Sequence, residues 1–368
     1  MKKGYYIHFQ GSSSIGVRKK IDMQIEEFSK HYEIEELEVQ TPERTLLQRI
    51  WGLFPTASIS RGYQATMAQL KEPDFIYVRR AVADRKYLQF WEKIKERFPQ
   101  CKIIVEIFTY PYDKDEFAKW DAWPFYIKEL LYRRKLKKYV DRFVTYTDDK
   151  EIFGVPTIRT INGIKIENIT LVEGKYDEDQ ITLIGVAHMQ SHHGYERIIE
   201  GMRDFYQKKD RKHTVSLLLV GDGPEKMHYQ SLAQKYGLEE YVKFYPTLSG
   251  QQLDEMYDKS DIALASFGTY KKGVFGKLSA LKTRECLAKG MPLITGCEID
   301  VLDETYPYVR NFPNSPEKVD IDEIIRFYEG IKRKNKDKTT VANIIREFAV
   351  QNVSMDSAMK PIVDYIES

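Results

Sequence analysis

The sequence lacks several features by which protein classes are often recognised. Its 368 residues include only three cysteines, Cys101, Cys286 and Cys297, and their spacing fits neither a disulfide framework nor a zinc cluster. No stretch approaches about 18 uninterrupted apolar residues, so we expect no membrane-spanning helix. The apolar run before Gln10 is too short for a signal peptide. These absences predict a cytoplasmic protein.

The sequence also lacks an excess of charge of one sign. Its 57 basic and 55 acidic residues leave a net charge of +2. A nucleic-acid-binding protein more often carries a basic excess, so we expect no nucleic-acid partner. The hydrophobic content of 42% is ordinary for a globular protein, and no internal repeat is found. At this length two domains are the default expectation.

Strand-like and helical segments alternate along most of the chain, which predicts parallel sheets covered by helices. In the first half, strands are predicted at 4–9, 74–78, 102–107 and 141–147, with helices at 17–31 and 86–98. In the second half, strands are predicted at 180–186, 215–220, 241–245, 262–266 and 291–295, with helices at 195–208, 225–236, 251–258 and 283–289. Two helical segments, 340–350 and 354–367, end the chain. The polar stretch 167–179 separates the two series.

Two segments have the chemistry to bind phosphate. The loop from Gly11 to Gly16 leads from the first strand into a helix, where backbone amides favour anions. It lacks the third glycine of a dinucleotide fingerprint and the Gly-Lys-Ser/Thr ending of a phosphate loop, so a plain tight turn explains it equally well. The second segment is a basic stretch ahead of a helix: Lys271, Lys272, Lys277, Lys282 and Arg284. It could hold a diphosphate or form a solvated surface loop.

Residues 281–292, Leu-Lys-Thr-Arg-Glu-Cys-Leu-Ala-Lys-Gly-Met-Pro, resemble the donor-site signature of family-four glycosyltransferases, also described as glycosyl transferases group 1. In that family two glutamates flank seven residues, and the helix that follows ends in Ala-x-Gly-x-Pro. Three further segments resemble family motifs in order and spacing: 161–164, 217–224 and 245–248. Together these motifs cover most of residues 160–300. The N-terminal half resembles the family more loosely.

The resemblance implies an α/β protein of the GT-B type, with two Rossmann-like doubly wound domains facing a central cleft. We place an acceptor-side domain at 1–170 and a nucleotide-sugar-binding domain at 171–345. The C-terminal segment 346–368 is expected to fold back on the N-terminal domain as a helix. The implied activity is metal-independent transfer of a sugar from a nucleoside-diphosphate sugar to an acceptor hydroxyl, with retained anomeric configuration. No cofactor is expected.

The resemblance also implies site residues. Glu285 would accept hydrogen bonds from the ribose hydroxyls of the donor, because a carboxylate offers two acceptor oxygens to a vicinal diol. Lys277 and Glu285 are the catalytic candidates. The full set of donor-binding candidates is Gly16, His193, Gly223, Thr247, Leu248, Lys277, Lys282 and Glu285. Tyr110 and Asp113, in a segment similar to an acceptor-side loop, are the acceptor candidates.

Three positions depart from the family pattern. Lys277 stands where the first glutamate is expected, Val186 where an arginine is expected, and His193 where a lysine is expected. Lys277 and Val186 favour an alternative, a catalytically silent GT-B protein that acts as a partner or scaffold of another transferase. Another GT-B activity, such as epimerisation or phosphorolysis, is a third possibility. The cluster His188, His192 and His193 lacks ligand spacing for a metal, and we predict none.

A dense basic run at 130–140 has apolar residues at helical spacing and follows a group of aromatic residues: Trp120, Trp123, Phe125 and Tyr126. Such a segment suits the surface of an anionic bilayer, where lipid-linked acceptors reside. An amphipathic helix packed on the N-terminal sheet explains it equally well. The predicted role is cell-surface polysaccharide or glycolipid biosynthesis, with possible peripheral contact to the inner face of the membrane.

Overall fold

The structure is a computed structural model that describes residues 1–368 except 10–14, 43–44, 46–49, 51, 53, 55–56, 60, 114–121, 304 and 336. The chain forms two compact units. The first unit comprises Met1–Asn162 together with Met355–Ser368, and the second comprises Gly163–Ser354.

The first unit is built on a seven-stranded sheet. Its strands are β1 (Lys3–Phe9), β2 (Glu33–Val39), β3 (Phe75–Arg79), β4 (Lys102–Glu106), β5 (Arg142–Thr145), β6 (Glu151–Ile152) and β7 (Val155–Arg159). Their order is β2-β1-β3-β4-β5-β7-β6, and all neighbours are parallel except β6 and β7. The central strands are buried on both faces, which explains their aromatic and β-branched composition.

Helices cover both faces of this sheet. They are α1 (Ile15–Ser29), α2 (Tyr63–Gln69), α3 (Arg85–Arg97), α4 (Trp123–Tyr132) and, from the end of the chain, α11 (Met355–Glu367). The start of α3 is fixed by Asp84, whose carboxylate accepts the Tyr87 N–H at 2.8 Å. A 3₁₀ helix, Arg133–Lys138, continues α4.

The second unit is built on a six-stranded parallel sheet. Its strands are β8 (Gln180–Val186), β9 (Thr214–Val220), β10 (Val242–Tyr245), β11 (Ile262–Leu264), β12 (Leu293–Thr295) and β13 (Val309–Asn311), in the order β10-β9-β8-β11-β12-β13. Its helices are α5 (Glu196–Tyr206), α6 (Lys226–Lys235), α7 (Gln251–Asp258), α8 (Leu281–Ala288), α9 (Ile321–Lys334) and α10 (Lys338–Val353). The fold class predicted from the sequence, α/β with two doubly wound sheets, is confirmed.

The last two helices belong to different units. α10 is held to the second unit by Arg346, whose guanidinium donates to the carbonyls of Ile166 and Ile169 at 2.7 Å. α11 packs against α1 and β7 in the first unit. The boundaries between the units therefore lie at 162/163 and 354/355, whereas the boundaries predicted from the sequence are 170/171 and 345/346.

The first unit contains a buried ionic cluster at the carboxyl end of β4. Glu106 is fully buried and lies 3.0 Å from Arg79 and 3.4 Å from Lys20. Burial opposes ionisation of this carboxylate, but the two cations together with hydrogen bonds from Tyr146 and Gln24 hold the pKa of Glu106 below its usual range. The cluster ties α1 to the ends of β3 and β4.

No helix in the part of the chain that the structure describes is long and apolar enough to cross a bilayer.

Candidate functional site

The candidate site of the second unit lies where its sheet changes direction. From β8 the chain proceeds outward to β9 and β10 on one side, and later to β11, β12 and β13 on the other. In doubly wound sheets, the loops at the carboxyl ends of the two strands flanking this point form a ligand-binding crevice. Here these are the loops after β8 and β11.

The two loops are joined backbone to backbone. The Phe267 N–H donates to the His193 carbonyl at 2.8 Å, and the Gly268 N–H donates to the His192 carbonyl at 3.0 Å. Gly194 adopts φ = +63°, and a Cβ there would lie 2.5 Å from the Gly268 nitrogen. Only glycine permits both this left-handed backbone and this approach. The loops consequently hold the two histidines at the edge of the sheet.

His193 is a neutral hydrogen-bond donor in this setting. Its Nδ1 accepts the Gln190 N–H at 2.8 Å, which places the ring proton on Nε2. Burial, reinforced by the nearby charge of Lys282, lowers the pKa of His193 to about 3. Burial keeps the ring uncharged, since His193 is only 7% exposed.

Lys282 supplies the charge that His193 lacks. It lies in the first turn of α8, and its Nζ is 3.1 Å from the hydroxyl of buried Tyr195. Burial lowers the pKa of Lys282 to about 8. Within the described part of the chain, no carboxylate forms an ion pair with it. A half-buried ammonium with a hydroxyl as its polar neighbour is suited to an anionic ligand.

The two catalytic candidates are exposed. Glu285 follows Lys282 by one helical turn, and its side chain faces solvent. Lys277 is also exposed and lines a pocket of about 750 Å³ at the carboxyl ends of β12 and β13, with Gly296, Asn311 and Asn314 among the other lining residues. Both groups are accessible to a ligand.

The remaining candidates of the second unit follow β9 and β10. Gly223 has φ = +139°, and a Cβ there would lie 2.5 Å from the backbone of Met189, so this glycine allows the loops after β8 and β9 to pack. Thr247 is exposed and Leu248 is half-buried, directly after β10. His193, Gly223, Thr247 and Leu248 thus follow three neighbouring strands.

The first unit carries the other three candidates. Gly16 is the second residue of α1, while positions 11–14 of the predicted phosphate loop lie outside the described residues. The Asp113 carboxylate forms an ion pair with Arg133 at 2.5 Å. The Tyr110 ring packs edge-on against Tyr112, with 6.3 Å between ring centroids. Both acceptor candidates therefore already make contacts within the first unit.

The structure adds residues that no sequence motif indicated. Gln190 fixes the tautomer of His193, Tyr195 contacts Lys282, and buried Arg197 supports the loop after β11 through a 2.7 Å hydrogen bond to the Phe267 carbonyl. The only sequence signal for this arrangement was the glycine after two histidines.

The Asp-x-Asp at 320–322 caps α9, since the Asp320 carboxylate accepts the Asp322 N–H at 3.0 Å.

Comparisons with known proteins agree with this architecture. Residues 169–297, about a third of the chain, match the family described as glycosyl transferases group 1. This confirms the resemblance inferred from the sequence motifs over that range. No curated protein matches the sequence.

Solved structures show the fold over the whole chain. Sucrose-phosphate synthase from Thermosynechococcus elongatus is 13% identical, with a TM-score of 0.57 and coverage of 100% of this chain and 98% of that one. A glycosyltransferase from Rickettsia africae is 10% identical, with the same TM-score and coverages. The apo form of the lipopolysaccharide outer core galactosyltransferase WaaB is 13% identical, with a TM-score of 0.55 and 99% coverage of both chains. The fold is GT-B.

Because the two loops approach so closely, adding one methyl group at Gly194 should strongly destabilise the folded state. Gly194→Ala combines a left-handed backbone, which costs about 1–2 kcal/mol, with an overlap against Gly268 worth about 1–3 kcal/mol more. Gly237→Ala is the matched control, since Gly237 has φ = +66° and open space around it. This variant should lose only the free energy that a left-handed backbone costs. Urea unfolding measures both. Equal losses in the two variants would mean that the loops do not need this close approach.

Proposed function

We propose that the protein transfers a sugar from a nucleoside-diphosphate sugar to an acceptor hydroxyl with retention of anomeric configuration. The observation that carries the proposal is that His193 and Lys282 both contact Tyr195 at the direction change of the second sheet, inside the segment that matches the glycosyltransferase family. A neutral donor beside an ammonium that forms no ion pair with a carboxylate of the described residues suits a diphosphate.

The proposed donor site assigns one task to each candidate. Lys282 and His193 Nε2–H bind the diphosphate oxygens, and Lys277 approaches from the loop before α8. Glu285 accepts hydrogen bonds from the ribose hydroxyls. Thr247 and Leu248 lie beside the base, and Gly223 keeps the intervening loop close. Gly16 stays a candidate predicted from the sequence, because it lies near the start of α1 in the first unit, where a helix N-terminus favours phosphate.

The proposed reaction needs no nucleophile from the protein. The bond between the anomeric carbon and the diphosphate oxygen breaks as the acceptor oxygen attacks from the same face. The acceptor proton passes to the departing phosphate oxygen. Lys282 and His193 stabilise the negative charge that grows on the leaving diphosphate. We propose that these groups act without a metal ion.

We place the acceptor at the first unit, with Tyr110 and Asp113 as candidate contacts, and propose a saccharide or lipid-linked acceptor of cell-surface polysaccharide or glycolipid biosynthesis. One of the structural neighbours, WaaB, is a lipopolysaccharide galactosyltransferase. A lipid-linked acceptor would require the protein to approach an anionic membrane.

The surface of α4 and the 3₁₀ helix supports that approach. Trp123 is 56% exposed, and Leu130 and Leu131 are also exposed. Four cations beside them face solvent: Arg134, Lys135, Lys137 and Lys138. Arg133 differs, because it pairs with Asp113. Trp120 lies outside the described residues. Exposed apolar groups next to exposed cations are the composition of a membrane-contacting surface.

A nucleotide panel tests the donor site. One of UDP, GDP, ADP and CMP, or its sugar conjugate, should raise the melting temperature in the presence of EDTA as well as Mg²⁺. A ligand at 100 times its Kd stabilises the folded state by about 2.7 kcal/mol. Glu285→Gln should weaken this binding at least tenfold, whereas Glu239→Gln, an exposed glutamate before β10, should leave it unchanged. Binding without acceptor-dependent turnover would favour the silent-partner alternative, and no shift with any nucleotide would reject the proposed site.

The pKa of Lys282 predicts a pH dependence. The ammonium binds the anion, so affinity should be full well below pH 8 and fall as pH rises through 8, by about tenfold between pH 7 and pH 9. His193 stays neutral throughout this range. Lys282→Arg should bind with little change over the range, and Lys282→Met should bind weakly at every pH. Titration calorimetry measures these affinities, and a wild-type profile as flat as that of Lys282→Arg would contradict the assignment.

Charge reversal tests the membrane surface. Replacing Arg134, Lys135, Lys137 and Lys138 with Glu should abolish sedimentation with vesicles containing anionic lipid, because each cation contributes about 1 kcal/mol. Arg133 is kept because its ion pair with Asp113 is structural. The control reverses four exposed lysines of the second unit, Lys209, Lys235, Lys259 and Lys334. Equal vesicle binding by both variants would reject this surface.

A further inference from the structure

A group of metal-ligand side chains lies in the first unit, outside the proposed donor and acceptor residues. Glu27 lies in the last turn of α1, His31 lies two residues after the end of that helix, and Asp356 is in the first turn of α11. One ligand atom from each of the three residues lies within 4.8 Å of the other two. Two helices from opposite ends of the sequence therefore converge on one point.

The buried member of this group has an unsatisfied oxygen. Glu27 is 4% exposed. Its Oε2 bonds to Lys30 Nζ at 2.7 Å, whereas Oε1 is buried and has no hydrogen-bond partner among the residues that the structure describes. An unpartnered buried carboxylate oxygen is costly, and ligation of a cation removes that cost. Oε1 is the Glu27 oxygen left for such a ligand.

We propose that Glu27, His31 and Asp356 form a zinc site that joins α1 to α11. An imidazole nitrogen with two carboxylate oxygens is a set that favours Zn²⁺, whereas Mg²⁺ and Ca²⁺ favour oxygen ligands alone. Three protein ligands leave the fourth tetrahedral position for water.

The geometry requires only a modest adjustment. Ligand atoms at zinc-ligand distances of about 2.0–2.2 Å in a tetrahedron are about 3.4 Å apart. The ligand atoms are up to 4.8 Å apart, and rotation of the exposed side chains of His31 and Asp356 would bring them to this distance. Buried Glu27 stays fixed as the anchor. The ion would add to the apolar contacts by which α11 already packs on α1.

Zinc binding to the purified full-length protein tests the site. After chelator treatment, titration calorimetry with Zn²⁺ should show a site that is lost in His31→Ala and Asp356→Asn. Glu27→Gln should weaken it at least about tenfold, since loss of an outer-shell partner alone costs this much. Glu26→Gln, the neighbouring exposed glutamate of α1, and His228→Ala, an exposed histidine of α6, are matched controls that should bind as wild type.

Melting temperatures distinguish zinc binding from donor binding. Zn²⁺ should raise the melting temperature of wild type and of both controls, and EDTA should reverse the rise. Because the exposed variants His31→Ala and Asp356→Asn keep the core intact, their melting without metal should match wild type. Zinc binding that persists in His31→Ala, absence of binding to wild type, or equal binding of Mg²⁺ would each overturn the proposal. Failure here leaves the nucleotide measurements unaffected.

Discussion

The carboxyl edge of the second sheet depends on one buried guanidinium. Arg197 is 2% exposed and donates to the backbone carbonyls of Phe267, Pro313 and Glu317, which belong to the segments that follow β11 and β13. Its own backbone N–H bonds to the Gly194 carbonyl. Burial lowers the pKa of Arg197, and the three carbonyls compensate for the water it has lost. This one cation thus ties together the segments that follow β8, β11 and β13.

Three buried arginines that are satisfied by groups of the protein contrast with Lys282 at the candidate site. Arg197 is satisfied by carbonyls, Arg284 by the Asp300 carboxylate, and Arg79 by Glu106. Each of these groups holds the fold together through partners within its own unit. Lys282 is held by a tyrosine hydroxyl instead. The chemistry that we propose uses a cation that forms no ion pair with a carboxylate among the described residues.

Sequence patterns predicted the regular elements because their burial is regular. β8 and α7 were predicted with the bounds that they have in the structure, 180–186 and 251–258. β2 was missed because four of its seven residues are glutamates, and as an edge strand it buries only Leu37 and Val39. The neutral state of His193 could not be predicted either, since it results from burial and from an amide of the same loop, neither of which a motif encodes.

The division of the last two helices between units has a consequence for synthesis. The core of the first unit includes Met355, Met359 and Ile362 of α11, packed with Phe75 and Ile104 of its sheet. A ribosome completes the whole second unit, Gly163–Ser354, before it supplies these side chains. The unit that is translated first is therefore the last to complete its hydrophobic core. During elongation, the sheet face that α11 covers stays exposed until this final helix is synthesised.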